Sequence, residues 1–488
     1  MENAGESHSY FGGDLGGCVM CGDNAESRSG NSVFERYHVN VREAPWKFKL
    51  PKKFRVRVYN NCVNIQECVQ TCVYNVHRVG EDGKVVEPVE ELCRGCHRCT
   101  LSCPKGAICI ELNSEFQRLG NTYFTPERIE NIFFEAETGR IPVSGAGYGG
   151  VFAGSGFDGF WFDFSEIVRP TRDGIHGREY ISTTVDLGRK PPSLVFKGSR
   201  LVSEPLRVVE VPIPMILDAP LSSSSNRGLI LALAKAASML RTFSIVKAED
   251  YFDGLSPYAF NLMPRITSSR IMEFPKLIEY SRIIELDYRE GKASEVRIRE
   301  DLKQIRRINP SAIVCTRFTN MDDAAEDAET SAKAGVEIIH IHIDDGIVEQ
   351  DPDAIVNAIR SVHTRLVEKR MRNGVSLISS GGVAEAAHIP KSIILGADAV
   401  AIGLAYQIAL GCKVCYGDKH QDDCPMRVEE TDISLASQRI VNLVGAWRDQ
   451  LLEVLGGMGL REVRRLRGEL GRAIFYSELE EKVFGDSE

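Results

Sequence analysis

The chain has 488 residues, 43% of them apolar and 26% charged, with a formal net charge of -9 at pH 7. That length holds one large domain plus one or two small modules. The intermixed charges argue against a nucleic-acid surface, and the longest apolar runs fall far short of the roughly 18 residues that a membrane span needs.

The first residues include Glu2, Glu6 and His8 where a leader peptide would have a basic stretch and then an apolar one, so the sequence reads as soluble and cytoplasmic. Fourteen cysteines, spaced like metal ligands in a chain without a secretion signal, point to clusters and not to disulfides. No internal repeat of fixed period shows.

Residues 1–50, rich in Gly, Ser and Asn, read as an extension laid over the rest. They contain Cys18-Val-Met-Cys21, which suits half of a zinc knuckle, extra ligands for a cluster elsewhere, or two reduced thiols.

Residues 51–115 carry the most specific motif. Cys93-x2-Cys96-x2-Cys99-x3-Cys103-Pro104 has the bacterial ferredoxin spacing, in which three thiolates hold one iron-sulfur cluster and the fourth crosses to another. Upstream, Cys62, Cys68 and Cys72 fit the first, third and fourth positions of the same template, and Ile65 stands at the second. Isoleucine cannot bind iron. Cys62, Cys68 and Cys103 therefore make a three-thiolate site suited to a 3Fe-4S cluster, unless Cys21 or a water completes it. Cys72, Cys93, Cys96 and Cys99 make a four-thiolate site for a 4Fe-4S cluster. The expected module is an α+β, ferredoxin-like domain that relays electrons, with Cys109 as a core thiol.

Residues 116–200 form a glycine- and aromatic-rich connecting segment, including Ser144-Gly-Ala-Gly-Tyr-Gly-Gly-Val151. No strand-helix frame or correctly spaced acid accompanies that run, so it reads as a loop on a barrel mouth and not as a dinucleotide fingerprint. The cationic stretch 167–180 could line a substrate or phosphate site, and His176 within it reads as structural.

Residues 201–425 alternate strand and helix patterns. Strands are expected at about 206–217, 243–248, 259–264, 283–288, 311–318, 336–343, 375–380 and 397–402, with helices at 228–240, 296–308, 322–334 and 353–372. This is the arithmetic of an α/β (β/α)8 TIM barrel, whose loops after strands seven and eight commonly hold a phosphate. Gly381, Gly382 and Gly403 sit there, with Ser379 and Ser380 as hydroxyl donors and Leu404 opening the next helix. His340-x-His342-x-Asp344-Asp345 ends strand six, and alternation sends both histidines to one face. The pattern permits a metal, but buried, hydrogen-bonded histidines are the simpler reading.

Cys412-x2-Cys415-x8-Cys424-Pro425 follows strand eight and offers three thiolates for a 3Fe-4S cluster, or for 4Fe-4S with a ligand from elsewhere. Residues 426–488 read as an amphipathic helical tail, with the charged run 461–472 as a solvated face.

Several of these runs resemble the FMN-binding synthase domain of glutamate synthases. They are Gly381-Gly-Val, Gly396-Ala-Asp-Ala-Val-Ala-Ile-Gly403, Ala409-Leu-Gly-Cys412, Arg439-Ile-Val-Asn-Leu, Leu451-Leu-Glu-Val-Leu-Gly and Gly459-Leu-Arg-Glu-Val. The ferredoxin module resembles extensions of archaeal-type members.

The resemblance implies FMN across the strand ends, its phosphate on the glycines and a cation near its N1. It puts that cation at the end of strand five, where this chain has Arg317 and the family a lysine; Lys247 is a second candidate. His340, His342, Asp344 and Asp345 could supply an acid or base. It also implies electrons passing from a ferredoxin or other low-potential donor through the clusters to FMN. The reaction would be reductive amination of 2-oxoglutarate to L-glutamate. Residue 2 is Glu and not a nucleophilic cysteine, so ammonia is expected from solution or from a glutaminase subunit in a hetero-oligomer.

The loops after strands four and six, Glu285-Leu-Asp-Tyr-Arg-Glu-Gly and His340-Ile-His-Ile-Asp-Asp-Gly-Ile, differ from the family's runs. An FMN and iron-sulfur enzyme with another substrate, or a non-catalytic electron-transfer subunit, are the alternatives.

Overall fold

The computed structural model describes residues 37–142, 153–164, 180–190, 195–202, 207–218, 226–288, 294–319, 323–414 and 428–484. Cys18, Cys21, the glycine run 144–151, His176, Cys415 and Cys424 lie outside them.

Eight parallel strands close into a barrel: Met215–Asp218, Ser244–Lys247, Leu262–Thr267, Ile283–Asp287, Ile313–Phe318, Ile338–His342, Ser376–Ser380 and Ala399–Ile402, the eighth pairing with the first. Strands so enclosed read as near-continuous apolar runs. The helices Arg227–Leu240, Glu295–Ile308, Ala324–Ala334 and Asp353–Glu368 fall between them, as the 3.6-residue pattern indicates. This is the expected (β/α)8 architecture.

The first strand departs from expectation. The single strand expected over 206–217 divides at Pro212-Ile213-Pro214: Arg207–Val211 pairs antiparallel with Val185–Arg189, and only Met215–Asp218 enters the barrel. Each proline lacks the N–H that a central strand must donate, so the ladder breaks between them.

In the N-terminal module, Phe54–Val58 pairs antiparallel with Ile108–Leu112. The two cysteine runs between them follow one backbone path, so the module does contain a repeat, of backbone shape more than of sequence. Asn64, Gln66 and Asn75 have positive φ, as do Gly95, His97 and Gly106 at the matching positions. Gln66 and His97 each precede a five-residue helix, Glu67–Thr71 and Arg98–Ser102. Left-handed backbone is costly for residues other than glycine, and the loop geometry imposes it in both halves.

A helix that the sequence reading missed, Pro126–Thr138, links module and barrel. Its signals were present: Thr125 accepts from the Arg128 amide as N-cap, Pro126 opens the first turn, and Gly139 closes the helix at φ 70°. The helix packs against the long tail helix Ile433–Gly457.

The tail is not purely helical, since Ala473–Phe475 pairs with Phe160–Phe162. Nor is the run 461–472 a solvated face. Arg464 binds Asp186, Arg467 binds Asp398 and Arg472 reaches the Asp163 carbonyl, because these cations cap the N-terminal end of the barrel and its neighbours. Among the described residues, no helix is long and apolar enough to cross a membrane.

Candidate functional site

The module gathers its thiols in two groups. Cys62, Cys68 and Cys103 line one cavity together with Ile65, which occupies the place that Cys96 takes in the other half. Cys68 is pushed up in pKa by burial, and the neighbouring Cys62 and Cys103 add to the shift. Burial likewise raises Cys99 to about 11, with Cys72, Cys93 and Cys96 contributing. Free thiols so placed repel one another as thiolates; a cation between them reverses the sign. Cys62 and Cys96 are exposed, whereas Cys68, Cys93 and Cys99 are buried.

Cys109 is half-buried on the strand Ile108–Leu112, its thiol 3.7 Å from Glu111 Oε1, so it is not a core residue. Cys412 is buried, and Lys413 beside it accepts a hydrogen bond from the Gly120 amide in the segment leading from the module. The module's chain path thus meets the cysteine loop of the barrel.

Charge lines the barrel interior. Asp218 from strand one, Arg265 from strand three, Glu285 and Asp287 from strand four, Arg317 from strand five and His340 from strand six are all buried. Arg265 bonds Glu285 through Nε and Asp218 through Nη2 at 2.8 Å. Burial works against both ions, but the carboxylates outweigh it and hold Arg265 above its ordinary pKa. Burial likewise opposes ionised Glu285, and Arg265, His340 and Arg317 nevertheless keep it well below the usual carboxylate range.

Arg317 is different. It is 1% exposed, its nearest counter-charge is Asp287 Oδ2 at 3.5 Å, and none of its three guanidinium nitrogens has a hydrogen-bond partner. Burial, then the charge of Arg265, lowers it to about 10. Buried guanidinium groups are ordinarily satisfied, so an unsatisfied one suits an anionic or carbonyl-bearing guest.

Ser380 and its neighbour diverge, as strand alternation requires. The Ser380 hydroxyl meets His340 Nε2 at 2.8 Å and His342 Nδ1 at 2.7 Å, while buried Ser379 Oγ has no partner. His340 Nδ1 bonds Glu285. The His342 side chain is 18% exposed and lies 4.0 Å from Asp218. Burial, followed by Arg317, His340 and Arg265, pushes its pKa well below the usual imidazole value.

Asp218, His340 and His342 present ligand atoms within 4.8 Å of one another. Arg265 already holds Asp218, however, and Glu285 and Ser380 hold both nitrogens of His340. A divalent cation would have to displace them.

The glycines after strands seven and eight differ among themselves. Gly381 has φ 106°, and a Cβ there would lie 2.1 Å from the Ile343 carbonyl oxygen; one on Gly382 would meet Val348 at 2.8 Å. The Gly382 carbonyl accepts from Tyr123 Oη at 2.6 Å. Backbone packing therefore demands this pair on its own account. A Cβ on Gly403 would meet only the Asp218 carbonyl oxygen, at 3.9 Å, leaving open approach to its backbone beside half-buried Leu404. Lys247 is half-buried at the end of strand two, and Asp344 is exposed beyond strand six.

The sequence reading singled out Arg317, His340, His342 and Ser380 but missed Asp218 and Arg265, and took Glu285 for part of a loop. Their signal was charge at alternate, inward positions of otherwise apolar strands.

Residues 292–461 match the family model described as the conserved region in glutamate synthase. The chain is 26% identical to the archaeal-type glutamate synthase [NADPH] of Dehalococcoides mccartyi, over 86% of this chain and 94% of that one. It is 25% identical to the archaeal glutamate synthase [NADPH] of Archaeoglobus fulgidus, over 89% and 97%. The flavin-binding domain of baker's yeast flavocytochrome b2 aligns at a TM-score of 0.41 and 10% identity, over 67% of this chain and 82% of that one.

Proposed function

Since this chain is a member of the glutamate synthase family, we propose that it is a cytoplasmic iron-sulfur flavoenzyme that reductively aminates 2-oxoglutarate to L-glutamate. The observation that carries the reading is the crossed pair of thiol groups, Cys62/Cys68/Cys103 and Cys72/Cys93/Cys96/Cys99, on a module whose chain leads directly to the cysteine loop of a closed barrel.

Clusters held by these thiolates and by Cys412, Cys415 and Cys424 would supply one-electron steps. Bound FMN would supply two-electron reduction of a carbon-nitrogen double bond. Two features of the described residues suit FMN. Arg317 offers an unsatisfied buried cation to the N1 edge, and Gly403 leaves its backbone open to a phosphate. Arg317 also suits a substrate carboxylate, and Lys247 is the second candidate for the cation beside the flavin. Exposed Asp344 is left for loop or substrate contacts. A ferredoxin or similar low-potential donor supplies electrons, and ammonia comes from solution or a glutaminase subunit.

The test is anaerobic purification followed by assay of flavin, iron and acid-labile sulfide. About one FMN and roughly ten to eleven irons per chain are expected, with glutamate formed from 2-oxoglutarate, ammonium and reduced viologen. Gly403→Ala, which meets no steric conflict, is expected to lower flavin content without loss of fold. Roughly seven irons with no flavin would leave an electron-transfer subunit.

A second reading, an FMN and iron-sulfur enzyme for a less anionic substrate, draws support from the interior carboxylates. Asp218, Glu285 and Asp287 offset Arg265 and Arg317, leaving little positive charge for a dicarboxylate. A flavin reoxidised by other acceptors but not by 2-oxoglutarate with ammonium would favour it.

A further inference from the structure

Ser380 stands between two imidazoles, and a hydroxyl has a single proton to donate. Glu285, ionised against Arg265, accepts from His340 Nδ1. A neutral His340 therefore presents Nε2 as an acceptor, and Ser380 donates to it. The Ser380 oxygen must then accept from His342, which fixes the His342 proton on Nδ1 and leaves Nε2 with a free lone pair. Of these groups only His342 reaches solvent: Glu285 and His340 are 0% and Ser380 3% exposed.

We propose that Glu285, His340, Ser380 and His342 form a proton relay that makes His342 the acid-base group of the barrel mouth while the proton itself is stored on His340. In uptake, a proton binds His342 Nε2, the Nδ1 proton passes to Ser380 Oγ, and the original Ser380 proton passes to His340 Nε2. One proton enters, no electrons move, and the new imidazolium faces the Glu285 carboxylate. Delivery is the reverse.

The arrangement answers a difficulty at His342. That ring is mostly buried and feels the charges of Arg317, His340 and Arg265, offset in part by Glu285 and with Asp218 4.0 Å away, so it holds a proton poorly by itself. Lys247 ends the second strand, and Tyr406, from the helix after strand eight, lies near Asp218. Storage one residue deeper, beside a carboxylate, removes that obstacle.

The role in catalysis rests on the reading of the barrel as a reductive aminase. Ammonium gives up a proton to become the ammonia nucleophile that adds to the ketone. A proton is then consumed when the carbinolamine hydroxyl leaves as water. The relay takes the first proton and returns it in the second step.

The test is 15N-histidine NMR of the holoprotein without substrate, in wild type and Ser380→Ala. Expected are a His342 Nδ1–H tautomer and a titration of His340 that moves in the variant. A His342 Nε2–H tautomer, or a pattern unmoved by Ser380→Ala, overturns the relay. In turnover, Ser380→Ala is expected to lower kcat by about 10²-fold with KM within about twofold and to reduce the solvent isotope effect, while Ser380→Thr restores most of the rate. Loss confined to KM, or no rescue by threonine at intact fold, counts against it. The expected NMR pattern in a protein that makes no glutamate would sink the proposed reaction and leave the relay standing.

Discussion

Glu135 shows how far one buried carboxyl can couple the protein to pH. It is 2% exposed on the helix Pro126–Thr138, and burial raises its pKa to about 8; Glu385 adds to the shift, and the hydrogen bond from Trp447 Nε1 at 2.8 Å opposes it only in part. The unfolded chain releases this proton near pH 4.5, the folded chain near 8. The folded state thus holds more protons between those values, and stability falls as pH rises across that window. The expected loss is on the order of a few kcal/mol. Glu135→Gln keeps an acceptor for Trp447 and should flatten this part of a melting-temperature profile against pH. An unchanged slope would mean that another group carries it. The pair was not legible in the sequence, because the helix holding Glu135 lay in a stretch read only as a connecting segment, far from the tail that carries Trp447. His342, by contrast, was legible from strand alternation, and Arg317 from its place at the end of strand five, to which the family resemblance drew attention.

At the scale of elements, the module's two halves share a backbone more closely than a sequence. Ile65 is 48% exposed and precedes the left-handed Gln66, just as Cys96 precedes the left-handed His97. The loop is therefore already shaped for a ligand that the side chain does not provide. Ile65→Cys is expected to raise iron content by about one per chain and to abolish the EPR signal of an oxidised three-iron cluster. No change in either would mean that the site is completed from elsewhere or holds no cluster. Cysteine spacing made the thiol groups readable, but the pairing of shape across the halves was not, since asparagine, glutamine and histidine replace glycine at several positive-φ positions. The broken first strand was readable in principle, with Pro212 and Pro214 in plain view. Its apolar pattern outweighed them because periodicity says nothing of hydrogen-bond donors.

Across the whole molecule, the tail helix Ile433–Gly457 joins segments far apart in sequence. Arg439 donates to the carbonyls of Ala44, Phe133 and Ala409. Asn442 donates to those of Arg42, Ala136 and Glu137, and accepts from the Arg42 amide. The irregular segment before residue 48, the linking helix and the barrel thus converge on two polar side chains. Asn442→Ala strands several buried backbone groups and should cost about 2–4 kcal/mol in denaturant unfolding, with iron content unchanged. A cost under about 0.5 kcal/mol would show that water replaces the side chain there. Such long-range convergence leaves no local trace: Arg439 and Asn442 look like polar interruptions in an amphipathic helix until their partners are in place.

The paired charges inside the barrel stand where branched hydrocarbon side chains usually pack. Unfolding such a core wets polar as well as apolar surface, and the two change the heat capacity in opposite directions. These side chains accordingly add less to the heat capacity of unfolding than hydrocarbon ones in their place would. Because ions lose hydration free energy on warming, the cost of keeping these pairs dry also shrinks with heat. The side chains that order the site therefore burden the fold most in the cold.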